Sequence, residues 1–203
     1  MSRLSTDSNA PSLTAVCGGI GAGKSVVSRV LRAMSYEVFD CDSEAKALMD
    51  NDTHIKQRLT NEITPDAVRP DGTINRQAVS ATVFADADKL CRLNEIVHTA
   101  VKQRLADWYR RRAIKGRRLF VETALLYQSG LDRVADEVWE VIAPDELRVE
   151  RVIRRNGLSA DEVRARIDSQ AFTPESAHPN VSFIVNDNRI PVIPQILKLI
   201  GEK

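Results

Sequence analysis

The sequence of 203 residues lacks features that define several large classes of protein. Lysine and arginine total 29 and aspartate and glutamate total 28, so the formal net charge is +1, whereas a dedicated nucleic-acid-binding domain is usually clearly basic. No apolar run approaches the roughly 18 residues that a membrane-spanning helix requires. We therefore expect neither a nucleic-acid partner nor a membrane segment.

Cysteine is also scarce, and the three cysteines, Cys17, Cys41 and Cys91, are widely spaced with no C-x-x-C pair. This pattern is typical of free thiols in a reducing compartment rather than of a disulfide framework or a zinc site. The first residues contain no hydrophobic segment of the kind found in signal peptides, so we interpret residues 1–12 as a flexible lead-in. Together these absences predict a cytoplasmic protein.

Hydrophobic residues make up 43% of the sequence, which is enough to build the core of one compact domain. Short apolar runs alternate with helical patterns along most of the chain. These runs cover residues 13–17, 36–39, 118–121, 137–142 and 181–185. Runs of this length suit the interior of a parallel sheet that is covered on both faces. We therefore predict the α/β class, with an open parallel five-stranded sheet flanked by helices.

The stretch from residue 43 to residue 115 breaks this alternation. It contains no convincing central strand, but apolar residues recur in it at the i, i+3, i+4 spacing of a helical face. One such face consists of Leu93, Ile96, Val97, Ala100, Val101, Leu105 and Trp108. We predict a mostly helical insertion over residues 43–115 that forms a wall over the substrate, within a core made of residues 13–42 and 116–203.

A glycine-rich segment lies between the first predicted strand and the helix that follows it. The segment is Gly18, Gly19, Ile20, Gly21, Ala22, Gly23, Lys24 and Ser25, which matches the pattern G-x-x-x-x-G-K-[ST]. In this pattern, backbone N–H groups and the positive end of the helix bind phosphate oxygens. We expect Lys24 to reach the β- and γ-phosphates and the Ser25 hydroxyl to ligate Mg²⁺. The segment predicts a P-loop kinase-like fold that binds ATP with Mg²⁺.

The phosphate-binding loop alone does not separate kinases from other nucleotide-binding proteins. The N-K-x-D motif by which GTPases recognise guanine is absent, and the chain is shorter than most ATPase motor modules. The helical insertion and the arginines near residue 150 favour a small-molecule kinase, because phosphoryl transfer requires a cover that excludes water. The alternatives are a kinase for nucleosides, nucleotides or shikimate-like substrates, and a regulatory protein that binds nucleotide without fast turnover.

Two acidic residues, Asp40 and Asp42, come at the end of the second predicted strand. Ligands of open α/β sheets bind at this carboxyl edge, and both carboxylates would project to the same side if the strand continued through them. A carboxylate there can accept the proton of an attacking hydroxyl or act as an outer-shell Mg²⁺ ligand. The alternative is that one of the pair caps a helix that starts at Ser43.

Four arginines lie on a predicted helix at residues 145–156. They are Arg148, Arg151, Arg154 and Arg155. Arg151 and Arg155 are four residues apart and share a helical face, as Arg148 and Arg151 do more loosely. Two guanidinium groups on one side can clamp triphosphate oxygens, and a solvated surface face is the alternative. A helix stop at residues 156–157 and a capping box at residues 159–162 follow. We therefore predict a hinged lid over residues 145–175.

The order of these motifs resembles that of the bacterial dephospho-CoA kinases from about residue 13 to residue 200. The specific part of the resemblance is the combination of G-G-I-G-x-G-K-S at residues 18–25, D-x-D at residues 40–42 and R-I-x-x-Q ending at Gln170. Shorter similarities lie between these motifs, including Leu93-Asn94 with His98 and Leu125-Leu126.

The resemblance implies phosphorylation of the ribose 3′-hydroxyl of dephospho-CoA by ATP, giving CoA and ADP in the final step of CoA biosynthesis. It implies that residues 43–115 form a CoA-binding domain, with Asp40, Asp42 and His98 on the substrate side. Asp42 is then the expected base, acting with Lys24 and Arg151 in catalysis. Arg151 and Arg155 are expected to contact the ATP phosphates. We expect a monomer or small homo-oligomer whose partners are these small molecules.

Several positions depart from the family pattern. Cys17 replaces the usual threonine before the loop, which removes a hydroxyl, and Thr99 replaces the proline after the histidine. In the segment that follows the third strand, Glu122 keeps a carboxylate in place of aspartate. In the same segment, Ala124 replaces a proline and removes a rigid turn, and Gln128 replaces a glutamate and removes a charge. These changes leave the ATP-binding motif intact and fall mainly on the CoA side.

Overall fold

A computed structural model describes residues 11–169 and 178–201. The chain divides into two compact units at Asp40/Cys41 and at Arg111/Arg112. We call residues 41–111 the helical unit and the remainder the sheet unit. The insertion predicted from the sequence spans residues 43–115. The predicted lead-in lies outside the described residues except for its last two, and Ser12 is already the first residue of a strand.

The elements follow one another along the chain with short connections. In order they are β1 Ser12–Cys17, α1 Lys24–Ala33, β2 Val38–Asp40, α2 Cys41–Asn51, α3 Thr53–Glu62, α4 Arg76–Ala85, α5 Ala87–Arg112, β3 Arg118–Glu122, α6 Leu126–Ser129, β4 Glu137–Ile142, α7 Asp145–Asn156, α8 Ala160–Ser169, β5 Val181–Val185 and α9 Val192–Ile200. Single 3₁₀ turns cover Pro65–Ala67 and Leu131–Arg133.

The described residues of the sheet unit form a five-stranded sheet in the order β2-β3-β1-β4-β5, and all neighbouring pairs are parallel. This confirms the predicted open parallel sheet. β1 lies at its centre, where Val16 pairs with Glu122 on one side and with Trp139 on the other. Since the strands are parallel, their carboxyl ends meet at one edge of the sheet, and that edge carries the β1–α1 loop.

One face of the sheet packs against α1 and α9. Its fully or almost fully buried members are Val16, Phe120, Trp139, Val141 and Ile184 from the strands and Val27, Leu31 and Ile196 from the helices. The rings of Phe120 and Trp139 lie 5.1 Å apart, and Tyr36 meets Phe120 edge-on at 5.3 Å. This aromatic contact ties the central strands together beneath the loop and holds α1 at a fixed height above the sheet.

The edge strand β5 is closed at its end by a side chain. Gln195 of α9 accepts a hydrogen bond from the Val185 N–H at 2.8 Å and donates one to the Val185 carbonyl at 2.9 Å. Both backbone groups that would otherwise face outward at this position are thereby paired. The residue after Val185 is Asn186, so this clasp lies directly beside the end of the sheet where the loop is found.

The helical unit has its own core, built from α3, α4 and α5 with the 3₁₀ turn between them. Its buried residues are Ile55, Leu59, Ile63, Ala67, Ile74, Val79, Val83 and Ile96. Side chains cap three of its helices: Asp52 accepts from N–H groups at the start of α3, Asn75 does so at α4 and Asp86 does so at α5. Among the described residues, no helix is both long enough and apolar enough to cross a membrane.

The aromatic core leads to a stability prediction. Phe120→Ala removes a side chain that is 0% exposed and should lower the free energy of unfolding by about 3–5 kcal/mol. The control is Phe183→Ala on β5, where the ring is 59% exposed and the expected change is about 0.5 kcal/mol or less. Urea unfolding measures both variants. Equal losses would contradict the assignment of Phe120 to the main core.

Candidate active site

The loop of residues 18–23 joins β1 to α1 at the carboxyl edge of the sheet. α1 begins at Lys24, which is only 9% exposed. Its ammonium group donates hydrogen bonds to the carbonyl oxygens of Gly18, at 2.9 Å, and Gly19, at 3.4 Å. A nearly buried lysine and the positive end of a helix therefore meet at this loop, which is an arrangement suited to an anionic group.

Helix α7 brings two arginines to the same loop. Arg148 donates from Nε to the Ile20 carbonyl at 3.0 Å, and Arg151 donates from Nη1 to the carbonyls of Gly21 and Ala22, both at 3.4 Å. The first turns of α7 are thus fastened to the loop by charged hydrogen bonds. The sequence analysis included Arg151 among the site residues but not Arg148, whose contact lies 128 positions away along the chain.

The end of β5 completes this side of the loop. Asn186 is buried and donates from Nδ2 to the Ala22 carbonyl at 2.8 Å. Arg151 Nη2 donates in turn to the Asn186 carbonyl at 3.0 Å and to Asn188 Oδ1 at 2.7 Å. Neither asparagine was among the predicted site residues. The signal that could have found them is their position directly after a strand of a parallel sheet.

Two other predicted residues of the sheet unit are exposed. Ser25 is the second residue of α1 and is exposed. Arg155 lies near the end of α7 and donates to the neighbouring Asn156 side chain at 2.7 Å. The structure therefore brings Arg151 to the loop and places Arg155 on the surface.

Glu122 is a buried acid at the same edge of the sheet. It ends β3, is 8% exposed, and its Oε2 atom completes no hydrogen bond within the described part of the chain. Desolvation raises the pKa of this carboxyl, as does Asp40, while Ser28, Lys24 and Arg32 lower it. The sequence analysis noted Glu122 only as a departure from a family pattern. Its position at the end of the third strand of a parallel sheet was the available signal.

The predicted pair Asp40 and Asp42 is divided by the fold. Asp40 is the last residue of β2 and pairs with Glu122 across the sheet, whereas Asp42 is the second residue of α2 and belongs to the helical unit. The strand does not continue through both residues, so the expected projection of the two carboxylates to one side of a strand does not apply. The helix also begins at Cys41 rather than at Ser43. Asp42 lies in its first turn, where the helix dipole favours a carboxylate.

His98, the remaining predicted substrate residue, is half-buried on α5 of the helical unit. Burial lowers the pKa of its imidazole, and the charge of Lys102 lowers it further. Its ring is therefore neutral at physiological pH.

Cys17 ends β1 immediately before the loop and is buried. Burial, with a further contribution from Glu140, raises the pKa of its thiol to about 12, against an opposing effect of Lys24. Cys17 is therefore an uncharged packing residue at neutral pH rather than a nucleophile. Cys41 and Cys91, which are also among the described residues, form no disulfide bond either.

The chemistry of the available ligands suits a hard cation that arrives with phosphate. The Ser25 hydroxyl and the Glu122 and Asp40 carboxylates are all oxygen donors, which Mg²⁺ prefers. Within the described residues, no three histidine, cysteine, aspartate or glutamate side chains form a group that would hold a metal by themselves.

The burial of Glu122 predicts a pH-dependent gain in stability for Glu122→Gln. Because the pKa of Glu122 is raised in the folded state, its ionised form destabilises the fold, and wild-type stability falls as the pH rises through that pKa. Glutamine cannot ionise. The variant should match wild type below the ordinary glutamate pKa of 4.5 and exceed it at neutral pH, as measured by urea unfolding across pH. Glu150→Gln, on the exposed side of α7, should give no such trend. A stability difference between Glu122→Gln and wild type that does not change with pH would contradict the raised pKa of Glu122.

The chain matches a known protein family. A sequence model of dephospho-CoA kinase matches residues 12–191. A dephospho-CoA kinase from Porphyromonas gingivalis is 34% identical over 186 residues, which cover 91% of both chains. The crystal structure of TT1252 from Thermus thermophilus has a TM-score of 0.79 at 31% identity, covering 94% of this chain and 96% of that one. A dephospho-CoA kinase from Campylobacter jejuni shares the fold, with a TM-score of 0.65 at 22% identity, covering 93% of this chain and 95% of that one. The chain therefore belongs to the dephospho-CoA kinase family.

Proposed function

We propose that this protein is a transferase that moves the γ-phosphoryl group of ATP to the ribose 3′-hydroxyl of dephospho-CoA, giving CoA and ADP. This is the final step of CoA biosynthesis. The observation that carries the proposal is the loop of residues 18–23, held by Lys24 on one element and by Arg151 on another, in a chain of this family. The cysteines of the described residues form no disulfide bond, which supports a cytoplasmic location.

On the ATP side, the loop from Gly18 to Ser25 binds the phosphates through backbone N–H groups and the Lys24 ammonium. Arg151 turns from the loop carbonyls to the phosphate oxygens, and Arg155 joins it from the lid of residues 145–175, of which residues 170–175 lie outside the described part. Ser25 and Glu122 are the residues that would hold Mg²⁺. When bound, this ion neutralises charge on the β- and γ-phosphates.

On the acceptor side, the helical insertion of residues 43–115 binds dephospho-CoA, with Asp40 and His98 among its contacts. Asp42 accepts the proton of the 3′-hydroxyl while the hydroxyl oxygen forms a bond to the γ-phosphorus. The bond between that phosphorus and the oxygen that bridges the β- and γ-phosphates breaks, which releases ADP. The neutral His98 ring offers a hydrogen bond without adding charge.

The acceptor is tested by measuring ADP release with dephospho-CoA, adenosine, AMP and shikimate in parallel, with ³¹P NMR to identify a new 3′-phosphate. We expect turnover with dephospho-CoA alone. Lys24→Ala should lower kcat/KM about 100-fold or more, because it removes a charge that stabilises the transferring phosphoryl group. Turnover confined to another acceptor would overturn the proposal, and an active Lys24→Ala variant would remove the loop from the mechanism.

The base is tested by comparing Asp42→Asn with Asp40→Asn. If Asp42 takes the proton, Asp42→Asn should lower kcat by about 10²- to 10⁴-fold while the Kd for ATP stays close to wild type. Asp40→Asn is the matched control and should act mainly on the KM for dephospho-CoA. Stopped-flow kinetics and nucleotide titration separate the two effects. An equal loss of kcat in both variants would mean that the base has been assigned to the wrong carboxylate or is shared.

A further inference from the structure

Arg148 is a largely buried charged side chain beside the loop that neither the motif nor the proposed chemistry uses. Its side chain is 15% exposed. Nη1 donates to Asp145 Oδ1 at 2.7 Å, within the first turn of α7, and Nε donates to the Ile20 carbonyl at 3.0 Å. One end of the guanidinium group is therefore anchored to its own helix while the other end binds the loop.

The loop backbone also approaches this arginine closely. A Cβ atom on Gly19 would lie 2.1 Å from Arg148 Nη2, and one on Gly21 would lie 2.6 Å from the Arg148 carbonyl oxygen. Gly21 has φ +78°, in the left-handed region that favours glycine. Glycine at these two positions thus permits contact between the loop and α7, in addition to contact with phosphate. The contact between the loop and α7 therefore depends on the glycines of the loop as well as on Arg148.

The Ile20 hydrogen bond has a directional consequence. In a planar trans peptide, the C=O of one residue and the N–H of the next point in opposite directions. When Arg148 holds the Ile20 carbonyl towards α7, the Gly21 N–H must point away from α7. Asn186 acts in the same way on the Ala22–Gly23 peptide. It donates to the Ala22 carbonyl and so directs the Gly23 N–H.

We propose that Arg148 is a positioning residue that fixes the Ile20–Gly21 peptide, so that the Gly21 N–H is already aimed at the nucleotide phosphates before they bind. The inference rests on the proposed use of the loop for ATP. Arg151 differs from Arg148 because its contacts with the loop carbonyls are longer, at 3.4 Å, and its shorter hydrogen bonds go to Asn186 and Asn188 instead. Arg148 donates at 3.0 Å to the loop and 2.7 Å to its anchor, which suits a group that stays in place.

The test compares Arg148→Met and Arg148→Lys with Arg154→Met, a control that removes an exposed arginine from the same helix. The Kd values of ADP and adenosine are measured by calorimetry. For Arg148→Met we expect the Kd of ADP to rise roughly tenfold or more, with the Kd of adenosine unchanged, since only ADP carries phosphates. Lysine should not rescue it, because one ammonium group cannot hold the Ile20 carbonyl and Asp145 in the same fork geometry. Arg154→Met should match wild type.

A second readout reports on the peptide itself. The ¹⁵N–¹H resonance of Gly21 in the nucleotide-free protein should shift in Arg148→Met and Arg148→Lys but not in Arg154→Met. Asp145→Asn, which loosens the anchor and keeps Arg148, should give an intermediate Kd for ADP. This variant keeps the test open if Arg148→Met does not fold.

The outcomes are distinct. A lower melting temperature with an unchanged Kd for ADP would make Arg148 a packing residue and overturn the proposal, as would full rescue by lysine. A fall in ADP affinity in Arg148→Met, in a wild-type protein that does not phosphorylate dephospho-CoA, would support this inference and reject the proposed acceptor. Normal dephospho-CoA turnover in wild type, with an unchanged Gly21 resonance in Arg148→Met, would support the proposed acceptor and reject the role of Arg148.

Discussion

The structure depends on how the carbonyl groups of one short loop are satisfied. A loop that turns its N–H groups towards a ligand must turn carbonyls the other way, and buried carbonyls need donors. Here successive carbonyls from Gly18 to Ala22 each accept a hydrogen bond from a side chain. The donors are Lys24, Arg148, Arg151 and Asn186. They come from α1, α7 and the end of β5, so the loop acquires its shape only when these parts of the sheet unit are assembled around it.

Charge in this protein is organised by position. A net charge of +1 says little about a site in which three cations meet one loop while Glu122 is buried a strand away. Desolvation of that carboxyl is unfavourable in the folded protein, as the raised pKa shows. A cation placed beside it would offset the cost. Burial of Glu122 thus lowers the stability of the folded protein by itself, and any affinity that this carboxyl adds for a cation would come at that cost.

Much of the fold could be predicted because it is encoded locally. All five strands lie where short apolar runs predict them, and α7 has the predicted bounds, residues 145–156, since its start after proline and its stop at Gly157 are sequence signals. The Asp40 and Asp42 pair shows the limit of such reasoning. Strand periodicity holds only while the strand continues, and the chain becomes helical at Cys41. Which residues share a face was therefore decided by an element boundary, the least predictable feature of a sequence.

The site residues that were missed depend on distant parts of the chain. The partner of Arg148 lies 128 positions away and that of Asn186 lies 164 positions away. Spacing along the helix favoured the pair Arg151 and Arg155 and only loosely the pair Arg148 and Arg151, but it is the second pair that reaches the loop. They are three residues apart and lie nearer the start of α7, where the helix meets the strand ends. Helical periodicity predicts which face of a helix a residue lies on, but it does not predict which turn of the helix lies beside the loop.

The Gln195 clasp on β5 joins two requirements that are usually met separately. An open edge strand invites a strand from another molecule, and proteins commonly prevent this with charges or bulges. Here one neutral amide pairs both backbone groups of Val185 and leaves the chain positioned for Asn186 to hold the loop. Pairing of the edge strand by Gln195 therefore lies one residue before the side chain that holds the loop. A change at Gln195 would unpair Val185 and disturb the position of Asn186 at the same time, so an exposed strand edge and a displaced loop would share one origin.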